Sequence, residues 1–268
     1  MTTHLVIPDG HAHPDHNNDR FEWIGKLIAD LRPEVVVNVG DMADMPSLSS
    51  YDKGSKGFEG RRYKKDVESM LDAQDRLFTP TKKIKYKKAR YVYTIGNHEE
   101  RINRAVNAEA ILDGTIGMSD LQLEDYGWET YPFMDIAVVD DIAYSHYFAS
   151  GVMGRPIGGE NPAKSLLNKQ HMSVTAGHTH TLDLATTINA AGKRIIGLVC
   201  GAYVDYTSGW NNVQSEALWW SGVVIKRNVE GGSYDPQFIS IESLRKEYAS
   251  HGKTKRPSRA KRFETTTR

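Results

Sequence analysis

The sequence predicts an α/β fold: a two-sheet sandwich built from βαβ units and flanked by helices. Three observations carry this. Through the first part of the chain, short apolar runs alternate with longer runs at helical spacing. Later runs are almost all strand-like and are separated by turn residues. Several apolar runs also stop on Asp, Asn or His, which puts polar side chains at the carboxyl ends of strands, where open α/β sheets hold ligands.

Residues 4–8, HLVIP, read as the first strand, with Asp9 directly after. A helix follows over 18–31: Asn17 or Asn18 can cap it, Phe21, Ile24, Leu27, Ile28 and Leu31 share a face, and Pro33 stops it. EVVVNVG is a buried second strand ending at Asp41, and this βαβ start predicts a parallel pair with a right-handed crossover. Residues 42–60 are loop-like, and a basic helix is expected over about 61–79. KKARYVYTIG gives a third strand and NHEERINRAVNAEAIL a helix. Over 134–146, MDIAVV and IAYSH flank Asp140-Asp141 as a hairpin, without the glycine that favours a primed turn. MSVTAG, LATTINA and RIIGLVCG continue as strands, with Gly192 between the last two, and WWSGVVIKR and QFISIE complete them. From 245 the chain is polar and basic, and disorder is expected. The expected organisation is one domain over 1–244, with an insertion at about 42–90, and a basic tail over 245–268.

Lys+Arg and Asp+Glu both number 34 in the 268 residues, so net charge is silent, but its distribution is not. Residues 61–90 carry eleven Lys/Arg against four Asp/Glu, and residues 245–268 carry nine against two. An acidic body with basic segments suits carboxylates around metal ions and basic arms around phosphates. The one cysteine, Cys200, excludes a disulfide framework or a thiolate zinc site within the chain and reads as a core residue. The N-terminus lacks the basic start and apolar stretch of a signal peptide, and no run approaches the ~18 residues of a membrane span. A cytoplasmic protein without a membrane partner is expected.

The strand ends carry Asp9-Gly10-His11, Gly40-Asp41, Gly96-Asn97-His98, His146 and Gly177-His178-Thr179-His180, taking in five of the ten histidines. Singly, each has an ordinary reading: Asp9 and Asp41 as turn residues, Asn97 as a helix cap, His146 as a satisfied core histidine. Jointly and in this order, Asp9-x-His11, Gly40-Asp41, Gly96-Asn97-His98-Glu99, His146 and Gly177-His178-x-His180 resemble the calcineurin-like metallophosphoesterases, over about residues 1–226.

The resemblance implies two divalent metal ions at the strand carboxyl ends. One would be held by Asp9, His11, Asp41 and His180, the other by Asp41, Asn97, His146 and His178, with Asp41 bridging. A mixed imidazole, carboxylate and amide shell suits Mn²⁺, Fe or Zn²⁺ rather than Ca²⁺; Mn²⁺ is the expected metal, with Fe, Zn²⁺ or Ni²⁺ as alternatives. The implied reaction is hydrolysis of a phosphoester by attack of a hydroxide bridging the metals. His98, binding no metal, would contact the substrate phosphate and act as general acid, at a helix N-terminus that favours anions. Arg101, one turn on, is a candidate substrate-binding residue alongside Asn97 and His98.

Departures from the pattern narrow the substrate. Protein phosphatases of this superfamily carry arginines that GDMADMPS and YTIGNHEE lack, which disfavours phosphoproteins. Ala12-His13 replaces a glycine that often follows Asp-x-His. The run SLSSYDKGSKGFEGRRYKKD resembles that of bacteriophage-encoded phosphoesterases. A phosphodiester is the expected substrate, with DNA or RNA as candidate partners of the basic segments. The alternatives are a phosphomonoester or cyclic nucleotide, or a scaffold of this fold without turnover. His13 and His16 read as surface residues, His4 and His171 as structural, and Trp219-Trp220 as core and interface.

Overall fold

The computed structural model describes residues 1–83, 89–207 and 213–249. The first half of the chain runs β1 (Thr2–Ile7), α1 (Asp19–Leu31), β2 (Val35–Asn38), α2 (Tyr63–Phe78), β3 (Arg90–Thr94), α3 (Arg101–Ala108), α4 (Leu123–Tyr126) and β4 (Glu129–Tyr131). The second half runs β5 (Ala137–Val139), β6 (Ile142–Tyr144), β7 (Ala149–Ser150), β8 (Arg155–Pro156), α5 (Pro162–Gln170), β9 (Ser173–Ala176), β10 (Leu182–Ile188), β11 (Arg194–Cys200), α6 (Val213–Glu216), β12 (Gly222–Glu230), β13 (Ser233–Ser240) and α7 (Ile241–Tyr248).

Two main sheets form, in the orders β13-β12-β1-β2-β3-β4 and β10-β11-β9-β6-β5, with β7 and β8 as a separate ribbon. In the first sheet β1 to β4 are parallel, and β12 and β13 add antiparallel. In the second, β6, β9 and β11 are parallel, with β5 and β10 antiparallel at the edges.

The period-2 alternation of the strands sorts their side chains into layers. Leu5 and Ile7 of β1 pack against α1 and α2, in a core with Phe21, Ile24, Met70 and Leu77. Val6, between them, faces the other way, into a core with Val37, Val92, Tyr144, Leu198 and Cys200 that joins the two sheets. A smaller core seals the outer face of the second sheet with Leu166 of α5, Val174 and Val199. The result is the expected two-sheet sandwich with helices outside.

Several local readings change. Asn18 precedes α1 but makes no capping bond; its side-chain amide donates to the Ser69 carbonyl (3.0 Å), tying α1 to α2. Asn17 Oδ1 accepts from the Asp19 N–H instead. The helix expected from Asn97 begins at Arg101, and residues 97–100 form a turn. QFISIE splits: β13 ends at Ser240, whose hydroxyl accepts from the Ser243 N–H and starts α7. The tail boundary expected at 245 therefore falls inside a helix, and residues 250–268 lie outside the described residues, as do 84–88 of KKIKYKK. Among the described residues, no helix is long and apolar enough to cross a membrane.

Candidate metal centre

Parallel β1, β2 and β3 end side by side, as do β6 and β9 of the facing sheet, so both sheets deliver their following turns to one edge. These turns are held tightly. The N–H groups of Gly10 and His11 both donate to the Asp41 carbonyl at 2.9 Å, and Gly177 N–H donates to the His146 carbonyl at 2.9 Å. His11, Asp41, His178 and His180 all sit in the left-handed region (φ 43, 51, 71 and 60°). Non-glycine residues there are strained, and strain of this kind gathers at functional sites. Two of the motif glycines are explained by close approach: a Cβ on Gly96 would overlap the Asp41 carboxylate and amide, and one on Gly177 would overlap Asp9 Oδ1.

Two clusters of donor atoms result. In the first, His11 Nε2 lies 3.1 Å from His180 Nε2, which lies 3.2 Å from Asp9 Oδ2. His11 Nδ1 is 2.8 Å from Asp44 Oδ1, which makes Nδ1 the protonated nitrogen and leaves the Nε2 lone pair facing inward. Asp9 is fully buried, and its Oδ1 has no hydrogen-bond partner among the described residues. In the second cluster, His146 Nε2 faces Asn97 Oδ1 (2.8 Å), Asp41 Oδ2 (3.2 Å) and His178 Nδ1 (3.2 Å). His146 Nδ1 lies 3.0 Å from the Val39 carbonyl and donates to it.

Asp41 lies beside both clusters; its carboxylate groups with His146 and His178 and separately with His11 and His98. Side chains of these types, with lone pairs converging at such distances, could hold metal ions.

The electrostatics agree. Burial pushes the Asp41 carboxyl upward, but His146 and His98 overcome it and hold it well below the usual range. Burial opposes a charged His146, yet Asp41 and Asp9 raise its pKa to about 9. Burial and the neighbouring His146 lower His178 to about 4. The centre therefore calls for positive charge at the point His146 Nε2 faces.

His98 sits beside the first cluster, its ring centroid 4.6 Å from that of His11. Its N–H donates to Asp41 Oδ1 (2.8 Å), and its Nδ1 lies 2.7 Å from the Asp44 carbonyl and 3.0 Å from Asp44 Oδ1. The helix N-terminus expected at His98 lies further on, at Arg101, and the His98 amide is committed to Asp41. Burial opposes the charged ring, but Asp41 and Asp44 raise its pKa above the usual value. Arg101 Nη2 lies 3.2 Å from His98 Nε2, and Nη1 donates to the carbonyls of Asp44 (2.9 Å) and Met45 (3.3 Å). Asn97 caps no helix; α3 follows Glu100 without a side-chain cap.

Sequence reasoning missed the residues behind the donors. Asp44 orients His11 and His98 together, in the carboxylate–histidine arrangement common at metal sites. Its signal was its place three residues after Asp41. Glu99 is fully buried and accepts from Asp41 N–H, Gly96 N–H, Ala43 N–H and Tyr93 O–H at 2.8–3.0 Å. Arg20 is fully buried, and its guanidinium donates to the carbonyls of Gly10 (2.6 Å), His11 (3.0 Å) and Tyr203 (3.0 Å), fixing the first turn. Trp219 sets its ring edge-on to His180, 4.3 Å between centroids. His13 approaches Asp44 (3.7 Å) and His16 stacks on Tyr206, so both line the rim rather than the centre. His4 lies between the sheets, and His171 ends α5 in the left-handed region.

No protein-family profile matches the chain. A curated relative, the Gene 54 protein of Mycobacterium phage D29, is 28% identical over 104 residues, a match spanning 39% of this chain and 37% of that protein's length. Among solved structures, a conserved uncharacterized protein of Streptococcus pneumoniae TIGR4, predicted to be a phosphoesterase, aligns at 10% identity over 90% of each chain (TM-score 0.36). Yfce, a phosphoesterase from E. coli, aligns at 15% identity over 89% of this chain and 99% of its own (TM-score 0.39).

Proposed function

We propose that this chain is a metal-dependent phosphoesterase that hydrolyses a phosphodiester, with two divalent ions, Mn²⁺ first among them, held by Asp9, His11, Asp41 and His180 and by Asp41, Asn97, His146 and His178. One observation carries the reading: His146 Nε2 faces two oxygens and a nitrogen within 3.2 Å while its other nitrogen is committed to a carbonyl. A cation satisfies all of these atoms at once.

Bound divalent ions would neutralise phosphoryl oxygens and bring the pKa of a water from 15.7 toward about 7. The chain's own part is positioning. Asp44 holds the rings of His11 and His98, and Glu99 holds the turn that carries Asp41. His98 delivers a proton from Nε2 to the departing oxygen, an assistance typically worth ~10²–10⁴-fold. The guanidinium of Arg101 is committed to the carbonyls of Asp44 and Met45 rather than standing free. That suits a singly charged diester better than a doubly charged monoester.

The test is hydrolysis of a chromogenic phosphodiester beside its matching monoester, with Mn²⁺ and with chelator, alongside the measured metal content. Diester turnover that chelator abolishes and that His178→Ala removes without unfolding the chain is the expected result. Absence of turnover of either ester with metal bound would refute it.

A further inference from the structure

A cavity of about 520 Å³ opens beside the second cluster and reaches Asn97 and His178. Its size is that of an ordinary ligand site. One wall is α3 and the other is the segment after the second motif, and the two walls differ in chemistry from the centre itself. Lys53, Arg101 and Arg104 line it, with Glu109, near the end of α3, as the one lining carboxylate. Asp52, next to Lys53, is paired with Arg61 at 2.6 Å. Arg104 lies over the ring of Phe133, 5.6 Å from its centroid. Neither Lys53 nor Arg104 has an ion-pair partner among the described residues. The cavity thus carries positive charge beyond what a single reacting phosphate needs.

Leu48, Phe58, Leu112 and Tyr147 give the lining an apolar part, with Ser47, Ser49 and Ser50 along the wall after the second motif. The Tyr147 ring is fixed at the inner end, tilted against His178 (4.9 Å) and edge-on to Phe133 (5.6 Å). A flat aromatic group entering beside the centre would meet this ring, and bases stack on such platforms without regard to sequence.

We propose that this cavity is a subsite for a second phosphate and the nucleoside preceding it, so that the substrate is a single-stranded oligonucleotide. This rests on the phosphoesterase reading above. The reacting phosphate lies at the centre, its attached base lies against Tyr147, and the next phosphate lies between Arg104 and Lys53. A small isolated diester would leave the cations and the apolar wall unmatched, and an acyl chain would leave the cations unmatched.

Two measurements test this. The first is independent of turnover: anisotropy of an end-labelled oligothymidylate hexamer titrated with chelator-treated protein. Binding that weakens as salt rises, and weakens by about tenfold further in the Lys53→Gln/Arg104→Gln double variant, is expected. No binding by the wild-type chain, or equal binding by the variant, overturns the subsite. The second compares a trinucleotide with a dinucleoside monophosphate, which lacks the second phosphate. The wild type is expected to favour the trinucleotide in kcat/KM by about tenfold, and the double variant to close most of that gap. Equal rates in the wild type overturn the proposal. Hydrolysis of an aryl diester with both nucleotides untouched overturns it while sparing the phosphoesterase reading. Oligonucleotide binding without hydrolysis of any ester sinks that reading and leaves the subsite standing.

Discussion

Replacing Glu99 with Gln isolates one charge beneath the candidate metal centre. The carboxylate accepts two bonds at each oxygen: Asp41 N–H and Gly96 N–H at Oε2, Ala43 N–H and Tyr93 O–H at Oε1. A Gln amide nitrogen at the Oε2 position would oppose two fixed donors. At the Oε1 position it opposes only Ala43, because the Tyr93 hydroxyl can turn and accept. The variant should therefore seat its amide toward Tyr93, strand the Ala43 N–H, and weaken the other bonds by removing the charge. A stranded buried N–H costs about 1–3 kcal/mol and the three remaining bonds lose roughly 1 kcal/mol each with the charge; relief of a buried charge beside Asp41 offsets part of this, so a net loss of about 2–4 kcal/mol is expected. Burial and Asp41 push the Glu99 carboxyl upward, against the pull of these donors. Urea unfolding of chelator-treated wild type and Glu99→Gln at pH 7 reads the difference directly. A variant within about 0.5 kcal/mol of wild type would show that Glu99 is already protonated and that its charge does not organise the Asp41 turn.

Two further outcomes come from the polar chain between the sheets. Lys226 is fully buried; its Nζ donates to Tyr144 Oη (3.1 Å) and to Thr175 Oγ1, and burial holds its pKa well below the usual range. Lys226→Met should stabilise the chain at pH 7 by on the order of 1–4 kcal/mol in urea unfolding, and the gain should shrink toward pH ~10 as the unfolded lysine loses its proton; destabilisation at pH 7 would contradict this. His4, bonded to Tyr144 Oη (2.8 Å) and Asp140 (3.0 Å), is lowered by burial to about 4. Protonation therefore favours the unfolded chain: this contribution is intact above pH ~6.5 and falls away as pH drops toward about 4, by roughly 3 kcal/mol in all. His4→Gln should flatten that part of the acid profile, and an unchanged slope would remove His4 as its source.

The strand ends were legible because two local signals coincide there, an apolar period ending and a metal-binding residue type beginning. Parallel pairing then brings together residues far apart in the chain. The supports were not legible, for a physical reason. Arg20 sits in the first turn of an amphipathic helix, where a sequence reads a solvated base; only the return of residues 9–11 and 203 over it turns its guanidinium inward. Glu99 reads as the start of a helix, yet its partners lie mainly on the turn after β2. Asp140 and Asp141 make the hairpin turn with φ of 49 and 62° and no glycine. Asp tolerates that region better than most residues, and Thr2 and His4 hold the Asp140 carboxylate from another strand. The short helix α5 escaped because it buries only a narrow stripe around Ala163, Leu166 and Leu167.

The same supports bear on how the centre is held. Four of its donor residues stand at positive φ, a conformation that persists only where surroundings over-determine it. Here those surroundings are protein groups: Arg20 on the 9–11 turn, Asp44 on two imidazoles, Glu99 on the Asp41 turn, and the Asp41 carbonyl across to β1. These protein contacts carry the strain of the turns. A candidate centre held this way should stay folded after chelator treatment, with its circular dichroism unchanged; loss of the folded signal would show that coordination, not these contacts, holds the turns.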